Sequence, residues 1–281
     1  MRSARALANE TGKHLFLATV TLALLVPVIW VFTSALRSIP DFFRLPPSFF
    51  PREWTLVNFA AVFTQYPQTR DYYLNSALIS AAVVPLTMTI CCLAGYGFAR
   101  LEFPGRNQIF WALVVTMYMP IGIARIFSIY ELTAALHLLD TRLGLILPYL
   151  SLSLPVYIFL LRGMFQEIPR EIEEAARIDG ASPLAVFLWV MLPLARNGIT
   201  VVGVLTLIGV WGEIILARFL TTQNAVPLSY GLTFMQEALG VDSHFPYLAA
   251  VYSLSILPIV AVFVLLQPWF MKGLMSGALK F

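Results

Sequence analysis

Six apolar stretches, separated by shorter polar segments, set the pattern of this chain: Leu15–Leu36, Ser76–Ala99, Ile109–Ile129, Leu143–Leu161, Ile199–Leu216 and Tyr247–Phe270. Each is close to the ~20 apolar residues that a helix needs to cross the hydrocarbon core of a bilayer. A helix satisfies its own backbone in lipid, which an open strand cannot do. The pattern therefore predicts an all-α fold, a polytopic membrane protein with six transmembrane helices in a single transmembrane domain over residues 1–281. The first stretch is longer than the ~7–15-residue core of a signal peptide and reads as a span. Pro27, Pro85, Pro120, Pro148, Pro155 and Pro258 fall in or at the edges of these stretches. Each removes a helical hydrogen bond and favours a bend.

Composition agrees with the pattern. The chain is 59% hydrophobic and 12% charged, against about a quarter charged residues in an ordinary soluble domain. The net charge of +3 comes from cations spread singly, which argues against a nucleic-acid partner. The polar segments alternate in sign bias. The N-terminus, the segments around residues 100–106 and 162–196 and the C-terminus hold eleven of the Lys and Arg residues, and the opposite set holds seven. The positive-inside tendency places the first set, and with it both termini, in the cytoplasm. Cys91 and Cys92 are adjacent inside an apolar stretch and lack metal-ligand spacing. No metal site is expected.

The segment at residues 163–197 stands apart. Pro169 suits a first helical turn, and Glu171, Glu173 and Glu174 follow where acid complements the helix dipole. Gly180 falls where a left-handed C-cap is wanted. Ser182 can cap a following helix with Pro183 at its first position, and Pro193 is expected to end it. Ile172, Ala175, Ala176 and Asp179 share one face by their spacing. Two alanines leave that face shallow, so that a partner can approach closely or receive the helix in a cleft. An amphipathic helix on the membrane surface is the competing reading, but its polar face would be basic, and here it is acidic.

The order Glu174-Ala175-Ala176, three residues, Gly180, nine residues, Val190, one residue, Leu192-Pro193 resembles the EAA loop of bacterial ABC importer permeases, with Val190 in place of the usual isoleucine. PREWTLVNF (Pro51–Phe59), YLNS (Tyr73–Ser76), AGYGFARLEFPGR (Ala94–Arg106), LLDTRLGLILPY (Leu138–Tyr149) and GLMSGALK (Gly273–Lys280) are similar to the carbohydrate-uptake branch, in particular its smaller maltose-permease-like subunit. Ile126-Phe127-Ser128-Ile129-Tyr130, preceded by Arg125, departs from the Ile-Pro pattern common in that branch. The resemblance implies an ABC importer permease fold and a place in the bacterial plasma (inner) membrane. It also implies several partners: a second permease subunit forming a heterodimer, two cytoplasmic ABC ATPase subunits and an extracytoplasmic substrate-binding protein. The EAA helix would dock on an ATPase through Glu174, Ala175, Ala176, Asp179 and Gly180. The C-terminal tail, residues 271–281, would reach the ATPases through Gly273, Gly277 and Lys280. The polar segment Thr221–Pro246, with Asn224 and Ser229, would meet the binding protein.

The sequence has no G-x-x-x-x-G-K-[ST] phosphate loop, so a non-catalytic transport subunit without a cofactor is expected and ATP hydrolysis falls to partners. The alternative function is an ion-coupled secondary transporter of a small polar solute, which would carry inverted repeats and embedded coupling charges. Glu213 is the clearest acid inside a stretch. It lies about 14 residues into the fifth one, roughly 21 Å from its cytoplasmic end, and suits either a hydrogen bond to a neighbouring helix or a cavity lining. Arg125, near the outer end of the third stretch, suits snorkelling to the interface or contact with a polar or anionic solute. An intramembrane enzyme would need a nucleophile–base or metal set, but His14, His137 and His244 lie in loops or near stretch ends.

Overall fold

Every regular element is helical among the residues that the computed structural model describes, which are 2–118, 122–239 and 241–278 for the backbone. In chain order they are α1 (Arg2–Ala35), α2 (Ile39–Phe42), α3 (Val57–Thr64), α4 (Gln68–Arg100), α5 (Arg106–Tyr118), α6 (Gly122–Ala135) and α7 (Arg142–Glu167). There follow α8 (Arg170–Ile178), α9 (Pro183–Leu194), α10 (Arg196–Trp211), α11 (Ile215–Leu220), α12 (Leu228–Leu239) and α13 (Val241–Ala278).

Four of the six predicted stretches lie in helices long and apolar enough to cross a membrane: Glu10–Ala35, Gln68–Arg100, Arg142–Glu167 and His244–Met271. The other two do not form continuous spans. The third stretch is divided between α5 and α6, of 13 and 14 residues. At ~1.5 Å per residue each reaches only about 20 Å, short of a ~30 Å hydrocarbon core. Pro120 lies between them, outside the described residues. The fifth stretch is broken at Gly212–Ile214, because α10 ends at Trp211 and α11 starts at Ile215. Counted together, α9 and α10 form a further pair long enough to cross, bent by 74°. Pro27, Pro85, Pro148 and Pro155 are accommodated inside helices.

The chain divides into two units, Met1–Thr69 with Leu232–Leu257, and Arg70–Gly231 with Pro258–Phe281. In the first, Arg37 counts as a loop cation by sequence but is 1% exposed. Its Nη2 donates to Ser48 O at 2.7 Å, and its guanidinium lies 5.2 Å from the Trp30 ring centre. Asn58 Nδ2 donates to Ala35 O and Arg37 O at 2.8 and 2.6 Å. These bonds satisfy carbonyls at the open end of α1.

In the second unit α4 and α7 form the frame. A Cβ on Gly95 would stand 3.0 Å from Leu161 Cβ and 3.1 Å from Arg162 N, so glycine lets the two backbones approach. Cys91, Tyr96, Leu161, Phe165, Phe187 and Met191 close one buried cluster with α9. Ile79, Val83, Leu145, Tyr149, Leu216 and Leu220 close a second one with α11. The clusters occupy different ends of α7, a helix of 26 residues, or about 39 Å.

Candidate functional site

At one end of this frame lies the segment singled out by the sequence. Pro169 is the N-cap of α8, one residue before the predicted first-turn position, with Glu171 and Glu173 in that turn. The helix closes through Gly180, whose φ is +86°. Gly180 N donates to Arg177 O and Ala181 N to Ala176 O, both at 3.0 Å. This left-handed closure is the one that glycine adopts without strain. Ser182 Oγ accepts from Ala185 N at 3.2 Å with Pro183 at the first position of α9, as predicted. Pro193 is expected to end α9, but the helix runs one residue past it, to Leu194. A π-helical turn spans Val186–Met191, and Leu192 N donates to Phe187 O, five residues back. The register has thus shifted just before Pro193, and its missing N–H is tolerated in the following short turn. The break falls at Ala195.

The face predicted from spacing is divided. Ile172, Ala175 and Asp179 are exposed, as are the neighbouring Glu174 and Gly180, while Ala176 is half-buried and packs on the cluster around Tyr96. Ile178 is 86% exposed between them. The opposite side of α8 is built on Glu173, which is 5% exposed. By sequence Glu173 is a helix-dipole acid, and its i,i+4 spacing to Arg177 is the one local signal of a further role.

At the second cluster a cavity of about 330 Å³ opens among α6, α7, α10 and α11, with Arg125, Tyr149, Ser153, Tyr157, Thr206 and Glu213 on its wall. Both alternatives for Glu213 are met at once. It lines the cavity, and its Oε2 accepts from Tyr149 Oη at 2.8 Å and Ala217 N at 3.1 Å, while Oε1 accepts from Leu216 N at 2.8 Å. The carboxylate thus caps α11, which explains why the fifth stretch breaks there: a side chain that captures backbone N–H groups competes with helix continuation. Arg125 is exposed and belongs to none of the described ion pairs.

The polar segment Thr221–Pro246 is largely helical: α12 begins at Leu228 and α13 at Val241. Its non-helical part is tied down. The Asp140 carboxylate accepts from the N–H groups of Thr222, Gln223, Asn224 and Ala225 and from Asn224 Nδ2. Asn75 Nδ2 donates to Asn224 O and Val226 O, and Arg142 Nε donates to Asn75 Oδ1. Ser229 Oγ donates to Glu213 O. Burial by itself would raise the Asp140 pKa, but the four backbone donors outweigh it and hold the carboxyl well below the usual carboxylate range. The pKa is depressed in the folded state, so the stabilisation is fully present above ~pH 4 and is lost only as pH falls through the lowered value. Asp140→Ala is expected to destabilise the protein by about 2 kcal/mol, equally at pH 5 and pH 7. Thermal unfolding in detergent at the two pH values checks this; a loss at pH 7 that vanishes at pH 5 would contradict it.

The tail residues Gly273 and Gly277 continue α13, and Lys280 lies outside the described residues. Among the described residues no group of His, Cys, Asp and Glu side chains is placed to hold a metal ion.

Residues 6–276 match the family model described as "Binding-protein-dependent transport system inner membrane component". A putative ABC transporter permease of Caldicellulosiruptor sp. is 33% identical over 97% of this chain and 98% of its own length. The trehalose transport system permease protein SugB of Mycobacterium tuberculosis is 32% identical over 91% of this chain and 92% of its own. The diacetylchitobiose uptake system permease protein NgcG of Streptomyces coelicolor is 31% identical over 90% and 83%. In fold, the chain superimposes with a TM-score of 0.80 on a bacterial ABC transporter involved in the import of the acidic polysaccharide alginate, over 96% of this chain and 98% of that one, at 23% identity.

Proposed function

The chain belongs to the inner membrane components of binding-protein-dependent transport systems, and on that premise we propose that it is one of two different permease subunits enclosing the pathway of an ATP-driven importer for a sugar or sugar derivative. The names of the trehalose and diacetylchitobiose permeases support the solute class. One observation carries the division of labour: Glu174, Ala175 and Asp179 are exposed on a helix whose other side is anchored in the chain's own core. This is the geometry of a surface offered to another protein. The outer face of α8 docks on one of two cytoplasmic ATPase subunits, and closure of the ATPases is passed inward as a rigid-body movement. Residues 163–197 are the coupling segment of a single permease domain, and residues 271–281, with Gly273, Gly277 and Lys280, add a second ATPase contact. The cavity bounded by Arg125 and Glu213 is part of the solute pathway. The exposed Gln223 and Asn224 meet the extracytoplasmic binding protein on a rigid rather than a flexible loop.

The chain crosses the membrane six times, with the divided third stretch and the broken fifth stretch, Ile199–Leu216, each making one crossing, and both termini lie in the cytoplasm. Single cysteines at Ser3, Ser182 and Ser276, in a chain carrying Cys91→Ser and Cys92→Ser, should resist an impermeant thiol reagent added to intact cells. Labelling of Ser182→Cys from outside would reverse the orientation. Function is tested by co-purification of the cognate ATPase with the full chain and with a chain lacking Gly273–Phe281. The intact protein should retain the ATPase and the truncated one should lose it; absence of any association with the intact chain would remove the coupling reading. The solute class is read by ligand-induced thermal stabilisation of the cognate binding protein with trehalose and chitobiose as probes.

A further inference from the structure

We propose that Glu173 is a positioning residue that locks the coupling helix to the frame of the protein, so that α8 and the Arg100 end of α4 move as one body. The inference rests on the reading of the outer face of α8 as an ATPase-docking surface. It concerns the opposite, buried side of the helix.

The Glu173 carboxylate is 5% exposed and is shared among three side chains. Tyr96 Oη donates to Oε1 at 2.8 Å, Arg177 Nη2 donates to the same oxygen at 2.8 Å, and Arg100 Nε stands 3.5 Å from Oε2. Tyr96 and Arg100 lie one turn apart on α4, whereas Arg177 lies one turn along α8 itself. The same partners reach further. Arg100 Nη2 also donates to Ile168 O, where α7 ends. The Tyr96 ring packs against Phe165 of α7 and Phe187 of α9, with centres 5.7 and 4.9 Å apart. One buried carboxylate thus ties α8 directly to α4 and, through the partners of that carboxylate, to α7 and α9.

Packing does not require an acid at this position. A buried ion pair replaced by well-packed apolar side chains is often neutral or more stable, and retaining it serves to fix one register among several. An apolar residue would cover the Tyr96 cluster but would leave α8 free to roll or slide on it, since apolar contact is not directional. The hydrogen bond from Tyr96 and the ion pair with Arg100, two residues one turn apart on α4, remove that freedom. A movement imposed on the exposed face then has to be passed to α4.

The test uses the assembled transporter with its ATPase subunits, in a chain carrying Cys91→Ser and Cys92→Ser. Spin labels are placed at Leu93→Cys on α4 and Glu171→Cys on α8, both exposed positions. Distances are measured without nucleotide and after trapping with ADP and vanadate. With Glu173 intact, a single narrow distance is expected, the same in both states. Glu173→Gln should broaden the distribution at least about two-fold or make it depend on the trapped state, while the ATPase still co-purifies. Tyr96→Phe, which keeps the ring contacts and removes only the hydroxyl, should act in the same direction and decides the matter if Glu173→Gln does not assemble. A distance that changes between states with Glu173 intact, an undisturbed distance in the variants, or loss of assembly in both variants overturns the proposal. Loss of ATPase association from the chain with Glu173 intact would instead overturn the docking reading on which it rests.

Discussion

Gly180→Val is expected to lower ATPase co-purification about tenfold or more, from a conformational cost of roughly 1–3 kcal/mol for a β-branched residue held in the left-handed region. The effect is one of backbone and not of space. Gly180 has φ +86°, yet a Cβ there would meet no atom within 4 Å. This separates two explanations that usually travel together. Gly180→Asn, which tolerates the left-handed region, should keep most of the association, whereas a steric requirement would exclude asparagine as firmly as valine. The turn matters because it sets the direction of the chain between α8 and α9, and with it the exposed row of Glu174, Ala175, Ile178 and Asp179. Glu174→Lys is expected to match the valine variant in its effect on association without disturbing the fold, since Glu174 is exposed and reverses only the charge offered to a basic groove. Equal co-purification of Gly180→Val, Gly180→Asn and the unsubstituted chain would remove this segment from the coupling pathway.

Glu213→Ala should be the most destabilising substitution around the cavity, by about 3 kcal/mol or more, because it strands several donors at once. Tyr149 Oη, Leu216 N and Ala217 N all lose their acceptor. Tyr149 is 5% exposed, so water replaces the lost bond poorly. Glu213→Gln keeps an acceptor oxygen and should recover part of the loss. Thermal unfolding in detergent reads both, with the Tyr149→Phe variant showing how much of the effect passes through α7. An alanine variant as stable as the unsubstituted protein would mean that the carboxylate does not hold α11, and Glu213 would then be free for the solute. Arg125 shares the cavity wall and belongs to none of the ion pairs among the described residues. Arg125→Ala is therefore expected to leave the unfolding temperature within a degree or so of the unsubstituted value.

Hydropathy and punctuation determined much of this protein by themselves. Apolar runs near the length of a bilayer crossing fixed four spans, because a helix is the local solution to an unsatisfied backbone in lipid whatever its neighbours are. The coupling segment was legible for a similar reason. A left-handed C-cap at Gly180 and the Ser182-Pro183 start of α9 depend on φ preferences and on hydrogen bonds within three residues, and both are read directly from residue type. Tertiary structure decided the rest. The fifth stretch is as apolar as its neighbours, but Glu213 finds Tyr149, 64 positions away, and folds its own following turn around the carboxylate. The polar run after Thr221 is held in place by Asp140, 82 positions upstream of Thr222, which gathers its backbone N–H groups. Glu173 and Glu174 are neighbours of identical chemistry, and nothing local separates them. One is buried against Tyr96 and Arg100 and the other faces outward because α4 passes on one side of α8 only. Sequence specifies what each residue can bond with; which partner arrives depends on contacts between residues distant in the chain, and no local pattern carries those.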